Sequence, residues 1–201
     1  MNINYNFYHW GPFLYKTRLT DESIEKVLSF CKKKKSLDFR RALVGHIEEE
    51  YKLNVKEIFP MLAPYLNSYV QALYEQRGIV PNKYIKMTSV WVNYMKQGEF
   101  NPPHTHSGDL SCVLYLQIPK DMDKNKMGHV AKSPAPGAIC FSYGELLKDN
   151  IYNHDFFPEK GDFFIFPAWL KHYVFPFKSD EERISLSANF KEIKRKEKNE
   201  K

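Results

Sequence analysis

From Tyr84 to Phe190 the sequence is a succession of short β-rich segments, and this pattern constrains the fold more than any other feature. The first segment, residues 85–94, alternates in polarity and is rich in β-branched and aromatic residues, as strands are. Further candidate strands cover residues 111–117, 138–142, 162–166, 172–175 and 183–190, with Gly, Pro and Asn between them. Many short strands of this kind are typical of two packed sheets.

The residues before Tyr84 are predicted to be mainly helical. A first amphipathic helix follows Thr20, and a second covers about residues 55–77, where we expect Pro60 and Pro64 to break or kink the first part. Helices first and strands later predict a mainly β fold with N-terminal helices packed on one sheet. We expect one domain over residues 1–201, with a helical cover at 1–83, a β core at 84–190 and a basic tail at 191–201.

Composition excludes several classes of protein. No apolar run approaches the roughly 20 residues of a bilayer span, and residues 1–10 lack the layout of a secretory signal, so we expect a cytoplasmic protein. The three cysteines show no CxxC spacing, which argues against a disulfide framework or a zinc ribbon. The formal charge of +6 is concentrated in residues 32–35 and 191–201 without a recognised binding motif, so a nucleic-acid partner is not expected.

A cluster of polar residues between two predicted strands is the first candidate site. It runs from Asn101 to Asp109 and contains His104 and His106. Residues two apart in an extended segment project to the same side, so both imidazoles can face one metal ion, and Asp109 can turn back to it past a glycine. Imidazoles and a carboxylate suit iron. The alternative is a pair of surface histidines beside a Pro-rich turn.

A second cluster lies near the C-terminus, where His172 opens one predicted strand and Arg183 and Ser185 lie on the next. Adjacent antiparallel strands lie roughly 5 Å apart, so a short loop would bring Arg183 close to His172. An arginine in an apolar run needs an anionic partner, and a guanidinium binds a carboxylate with two parallel hydrogen bonds. Ser185, on the same side, can add a third. The alternative is an ion pair with Glu181 or Glu182.

Together these motifs resemble the 2-oxoglutarate and iron(II)-dependent oxygenases, in particular a branch frequent in phages and marine bacteria. The resemblance extends over about residues 91–190 and depends on the order and spacing of four motifs. These are Trp91-Val92-Asn93, His104-Thr105-His106 followed by Leu110-Ser111, Phe166-Pro167-Ala168-Trp169-Leu170-Lys171-His172, and Arg183-Ile184-Ser185.

The resemblance implies a double-stranded β-helix (jelly roll, cupin-like) that holds Fe(II) and takes 2-oxoglutarate and O₂ as cosubstrates. It makes His172 the distal ligand and His104 the first one. His106 stands where the family usually has a carboxylate, so either the site has three histidines or Asp109 supplies the third ligand. The distal carboxylate of 2-oxoglutarate would bind Arg183 and Ser185.

On the strands expected to line the barrel, Asn93, Tyr94 and Tyr115 are candidates to orient 2-oxoglutarate. No catalytic residue is predicted beyond the metal ligands.

The function implied is hydroxylation of a C–H bond in a peptidyl or small-molecule substrate, in the host cytoplasm if the chain is phage-encoded. Two alternatives are a cupin-like metal protein, a dioxygenase or isomerase without 2-oxoglutarate, and a non-enzymatic β-barrel binding module. The lysine-rich segment 119–136 is predicted to be a long mobile loop.

Overall fold

The computed structural model describes residues 11–33, 37–77, 83–123, 129–148 and 152–194. Several predictions fall outside these ranges. They concern the first ten residues, part of the lysine run at 32–35, the centre of the 119–136 loop, and most of the basic tail. Within the described ranges, no helix is long and apolar enough to cross a membrane.

Within these ranges ten antiparallel strands form two sheets that face each other, which confirms the predicted double-stranded β-helix. The six-stranded sheet has the order β1-β8-β5-β10-β3-β2 and the four-stranded sheet the order β4-β9-β6-β7. The strands are β1 (Tyr15–Arg18), β2 (Glu50–Lys52), β3 (Lys83–Met95), β4 (Asn101–His104), β5 (Leu110–Gln117), β6 (Ile139–Ser142), β7 (Asn153–Phe156), β8 (Asp162–Pro167), β9 (Lys171–Val174) and β10 (Arg183–Lys194).

The two faces of the six-stranded sheet belong to two apolar cores. The outer face packs against the helices α1 (Asp21–Lys33) and α2 (Val55–Arg77), with Val92 and Leu114 among the buried residues. The inner face, with Val113 and Phe164, packs against the four-stranded sheet. Neighbouring residues on one strand therefore lie in different cores, as the two-residue period of a strand requires.

Both helices form where predicted, but α2 runs without interruption through Pro60 and Pro64. Each proline removes one backbone hydrogen bond. The helix nevertheless continues because its apolar face, which includes Ile58, Leu62 and Leu66, is buried against the sheet. Burial of large side chains stabilises the helix by roughly 1.5–3 kcal/mol each, which is comparable to the roughly 3 kcal/mol that each interior proline costs.

Residues 1–83 were predicted to form a helical cover, but this part of the chain also contains both edge strands of the six-stranded sheet. β1 pairs with β8 and β2 pairs with β3. These strands are only four and three residues long, too short to show a period. A short 3₁₀ helix, Arg40–Ala42, precedes β2.

β4 and β7 were also missed, and β10 extends to Lys194. β4 contains Pro102 and Pro103, which sequence rules assign to turns. It lies at the edge of the four-stranded sheet, where proline is tolerated because only one side is paired.

Candidate active site

Three histidines meet between the two sheets. His104 at the end of β4 lies directly across from His172 on β9, and their rings are 4.3 Å apart. His106 follows two residues later, and its Nε2 lies 3.1 Å from the Nε2 of His172. One nitrogen from each imidazole falls within a group no wider than 4.8 Å. This is the spacing expected of ligands around one metal ion.

Two backbone carbonyls fix the orientation of the rings. His104 Nδ1 donates to the carbonyl of Pro102 at 2.7 Å, and His172 Nδ1 donates to the carbonyl of Leu170 at 2.9 Å. A carbonyl can only accept, so the proton of each neutral imidazole is on Nδ1. The Nε2 lone pairs are left available for a metal, and such outer hydrogen bonds are usual for histidine ligands.

Burial keeps these imidazoles neutral. It lowers the pKa of His104, lowers that of His106 to about 4, and lowers that of His172 to about 3. The neighbouring imidazoles lower the last two pKa values further, because each charged ring disfavours the next. At neutral pH all three side chains therefore have the protonation state that a metal ligand needs.

Asp109 does not join this group. Its side chain is exposed, and its Oδ2 accepts a hydrogen bond from the backbone N–H of Glu192 at 2.8 Å. Gly108, at φ +110°, turns the chain away, and Asp109 N–H donates to the carbonyl of Phe190. The alternative in which Asp109 turns back towards the histidines is therefore not what the chain adopts, because β10 holds this carboxylate.

A cavity of about 280 Å³ adjoins the three histidines, and Arg183 forms part of its wall. Arg183 is only 2% exposed. Its Nη1 donates to the carbonyl of Gly137 at 2.8 Å, its Nη2 contacts Met95 Sδ, and its Nε has no hydrogen-bond partner among the described residues. The guanidinium lies over the rings of Tyr115 and Phe177.

No acidic side chain among the described residues pairs with Arg183. The predicted alternative, an ion pair with Glu181 or Glu182, does not form; the Glu181 carboxylate instead accepts from the backbone N–H of Lys120. Burial lowers the pKa of Arg183, because removing the charge from water is costly. A buried guanidinium of this kind is a strong binding site for an anion that the described chain does not supply, because its N–H groups donate hydrogen bonds.

A row of polar side chains crosses the inner face of the six-stranded sheet from β2 to β5. The register places Glu50 beside Asn93, Asn93 beside Ser185, and Ser185 beside Tyr115. Asn93 Nδ2 donates to Ser185 Oγ at 3.3 Å. In the described part of the chain, Asn93 Oδ1 and the Tyr115 hydroxyl have no partner. All four residues line the cavity, so their free groups can meet a ligand.

Tyr94 does not line this cavity, which corrects its prediction as a cosubstrate-binding residue. It belongs to the core beneath the helices and packs edge-on against Tyr51, with ring centroids 6.0 Å apart. Asn93 and Tyr94 are adjacent on β3 and must point to opposite faces. Since Asn93 faces the cavity, Tyr94 cannot.

Among the cavity residues that were not predicted as site residues, Trp91 and Glu50 matter most for the chemistry of the site. Trp91 packs against His106, with ring centroids 5.7 Å apart. Glu50 is 2% exposed, its Oε2 has no partner among the described residues, and burial raises its pKa to about 7. In the sequence it closes the run Glu48-Glu49-Glu50, which is typical of a solvated acidic segment, so no local signal marked it as buried.

The comparisons with known proteins agree with this geometry. Residues 89–189, half of the chain, match the model of the family described as "Putative 2OG-Fe(II) oxygenase". No curated protein sequence matches the chain.

Solved structures share the fold at low sequence identity. A prolyl-4-hydroxylase from Pseudomonas putida aligns at a TM-score of 0.58 and 17% identity, over 91% of this chain and 92% of that one. A prolyl hydroxylase from Trichoplax adhaerens, in complex with a hypoxia inducible factor peptide fragment, aligns at 0.56 and 15%, over 88% and 82%. HygX from Streptomyces hygroscopicus, with nickel, 2-oxoglutarate and hygromycin B bound, aligns at 0.56 and 12%, over 89% and 82%.

This family match selects among the three functions that the sequence left open. It favours the oxygenase over a cupin-like protein without 2-oxoglutarate and over a binding module. Members of the family use Fe(II), O₂ and 2-oxoglutarate, and the three histidines provide a site for the iron. The chain belongs to the 2OG-Fe(II) oxygenase family.

Proposed function

We propose that this protein is an Fe(II)- and 2-oxoglutarate-dependent hydroxylase whose iron is held by His104, His106 and His172. The observation that carries the proposal is the pairing of two features in one cavity: three neutral imidazoles around one point, and a buried Arg183 with no acid to neutralise it in the described ranges. The first suits a metal and the second suits a carboxylate.

The donor set fits a mononuclear iron site. Imidazole nitrogens are good ligands for iron, and a catalytic site needs only three protein ligands so that positions stay open. We propose His106, rather than Asp109, as the third ligand. Its support is the 3.1 Å approach of the His106 and His172 nitrogens, whereas the Asp109 carboxylate is bound to β10.

The second half of the cavity fits 2-oxoglutarate. Arg183 Nε offers a free donor to the distal carboxylate, and Ser185 lies two residues along the same strand face. Burial raises the pKa of Tyr115 to about 12, so its unpartnered hydroxyl keeps its proton and can donate as well. Asn93 donates to Ser185 and thereby orients the Ser185 oxygen, whose own proton then points elsewhere in the cavity.

Bound iron with 2-oxoglutarate supplies the activation of O₂ that oxidises a substrate C–H bond. The chain's own residues do the rest. Pro102 and Leu170 carbonyls hold two imidazoles in the required tautomer, and the apolar ring of Trp91 against His106 limits access of water to the metal side of the cavity. Arg183 fixes one end of the cosubstrate, which sets the position of its other end.

For the substrate we propose a side chain of a peptide or a small molecule. Prolyl hydroxylases and HygX, which have the same fold, support both possibilities. We also propose a reducing cytoplasmic setting, supported by Cys31, Cys112 and Cys140, which are buried and free. The assignment to a phage and marine-bacterial branch stays a prediction.

The proposal is tested by aerobic incubation of the iron-loaded protein with 2-oxoglutarate, with succinate as the readout. Wild-type protein is expected to form succinate slowly without substrate and faster with one. His172→Ala should abolish it, because one of the three metal ligands is lost. His46→Ala is the matched control, since His46 is exposed and stacks on Phe100 outside the metal group. Equal succinate formation by wild type and His172→Ala would contradict the proposal.

A further inference from the structure

Glu50 is a buried carboxyl group for which the proposed iron and 2-oxoglutarate sites have no use. It lies on β2, one of the two edge strands of the six-stranded sheet, and lines the same cavity as Arg183. It is 2% exposed, and its Oε2 has no hydrogen-bond partner among the described residues. Buried carboxyl groups are almost always paired, so a partner from outside the chain is expected.

The groups around Glu50 are acceptors rather than donors. Asn93, its neighbour across β2 and β3, presents an Oδ1 without a partner in the described ranges. Asn101 Oδ1 and Glu50 Oε1 both border Gly45, which has no side chain. They lie 2.5 Å and 3.1 Å, respectively, from the point that a Cβ atom on Gly45 would occupy. A ligand here must bring hydrogen-bond donors.

The local charge favours a cation over a neutral donor. Glu99 and Asp38 both add negative potential at Glu50, since each raises its pKa. Arg40 acts against this effect by lowering the pKa of Glu50, but its guanidinium is bound to Asp38 through its Nε and Nη2. In the described ranges the Lys52 ammonium lies over the Phe39 ring and Arg40 is bound to Asp38, so neither cation forms an ion pair with Glu50. The opposite end of the cavity contains Arg183.

The register separates the two ends. From Glu50, two strand spacings lead through Asn93 to Ser185, and two residues along β10 lead to Arg183. At about 4.8 Å per strand and 3.3 Å per residue, the two Cα positions are roughly 12 Å apart. A carboxylate ligand bound to Arg183 would also be repelled by Glu50. The two charges therefore serve different ligands.

Aromatic rings line the path from Glu50 to the metal side. Phe39 and Trp91 have centroids 6.0 Å apart, and Trp91 is in turn 5.7 Å from the ring of His106. Both aromatic residues line the cavity. The Lys52 ammonium already lies over the Phe39 ring, so Trp91 offers the aromatic face that can attract a ligand cation. A molecule anchored at Glu50 would thus extend past Trp91 towards the three histidines.

We propose that Glu50, together with Asn93 and Asn101, forms a cation subsite that recognises an ammonium or guanidinium group of the substrate. The proposal rests on the proposed function, because it takes this cavity as the active site. It narrows the substrate class to molecules with a basic nitrogen at one end, anchored so that another part reaches the metal.

The test uses two probes of nearly equal shape, n-butylguanidinium and the neutral n-butylurea, in calorimetric titrations. Each is titrated anaerobically into the protein loaded with Fe(II) and 2-oxoglutarate, and separately into metal-free protein. Wild type should bind n-butylguanidinium at least about tenfold more tightly than n-butylurea, because only the first forms charge-assisted hydrogen bonds. Glu50→Gln should remove this preference.

Glu48→Gln is the matched control, because Glu48 has the same charge two residues away but its side chain is 76% exposed. It should keep the full preference. Glu50→Asp, which keeps the charge on a shorter side chain, should retain part of it. Equal binding of the two probes by wild type, or an unchanged preference in Glu50→Gln, would overturn the subsite.

Failure of the proposed function would give a different result. Wild type would then fail to bind 2-oxoglutarate while the metal-free protein still preferred n-butylguanidinium and lost that preference in Glu50→Gln. Conversely, normal 2-oxoglutarate binding without any preference between the probes would leave the proposed function intact and reject the subsite.

Discussion

Replacing Glu50 by Gln should make the metal-free protein more stable at alkaline pH. The folded chain holds this carboxyl group in a buried position, which raises its pKa from 4.5 to about 7, chiefly because the ionised form loses its hydration. Glutamine has nearly the same shape but cannot ionise. The substitution therefore removes the cost of a buried negative charge.

The size of this stability change follows from the linkage between proton binding at Glu50 and unfolding. Between pH 4.5 and about 7 the folded state binds more protons at Glu50 than the unfolded state, so the free energy of unfolding falls as pH rises. A pKa difference of this size corresponds to at most about 3 kcal/mol when the pH is above both values. From about pH 5.5 to about pH 8.5 the wild type should lose about 2 kcal/mol relative to Glu50→Gln.

The assay is urea unfolding of both proteins in the presence of a chelator, at these two pH values. The stability difference should grow by about 2 kcal/mol towards alkaline pH, which for a chain of this length is a shift of roughly 4–8 °C in Tm. Glu48→Gln, at an exposed position, should show no such trend. A stability difference that is constant with pH, or that shrinks as pH rises, would refute the reasoning.

Three further predictions concern the site and the turn beside it. Arg183→Ala should weaken 2-oxoglutarate binding by about a hundredfold in calorimetry and leave iron binding unchanged, because it removes a charge-assisted donor and no ligand; loss of iron would contradict this. His106→Ala should lower iron affinity by at least about a hundredfold while Asp109→Asn retains one equivalent, measured by iron stoichiometry after dialysis; the opposite result would make Asp109 the ligand. Gly108→Ala should lower the free energy of unfolding in urea by about 2–4 kcal/mol, because φ is +110° and the new Cβ would lie 2.7 Å from a backbone carbonyl oxygen. The control is Gly98→Ala, where φ is +78° and nothing lies within 4 Å of the new Cβ; it should cost about 1 kcal/mol.

The sequence predicted those parts of the fold whose residues carry a period. The long strands β3 and β10, the apolar run of β5 and the two amphipathic helices follow from the pattern of apolar residues alone. The short edge strands β1 and β2 do not, because three or four residues hold too little pattern and their pairing is decided by distant segments.

The site was predictable where one strand sets the geometry. His104 and His106 share a side because they are two residues apart, and the same rule places Arg183 beside Ser185. Asn93 and Tyr94 are adjacent on β3, so the same two-residue period allows only one of them to face the cavity.

Other features of the site depend on tertiary contacts. Asp109 was a candidate ligand because a glycine precedes it, but the backbone N–H of Glu192 holds its carboxylate. Glu50 looked like part of an acidic surface run until pairing with β3 turned it into the cavity. Neither outcome has a local signal, because each depends on a strand far away in the sequence.

The central claim is that one cavity holds both Fe(II) and 2-oxoglutarate. It is tested most directly by anaerobic titration of the purified protein with Fe(II) and then 2-oxoglutarate, monitored by visible absorption. We expect the protein to take up about one iron per chain and then to develop a weak charge-transfer band that saturates at about one 2-oxoglutarate per iron. Iron uptake without the band, or no iron uptake at all, would contradict it.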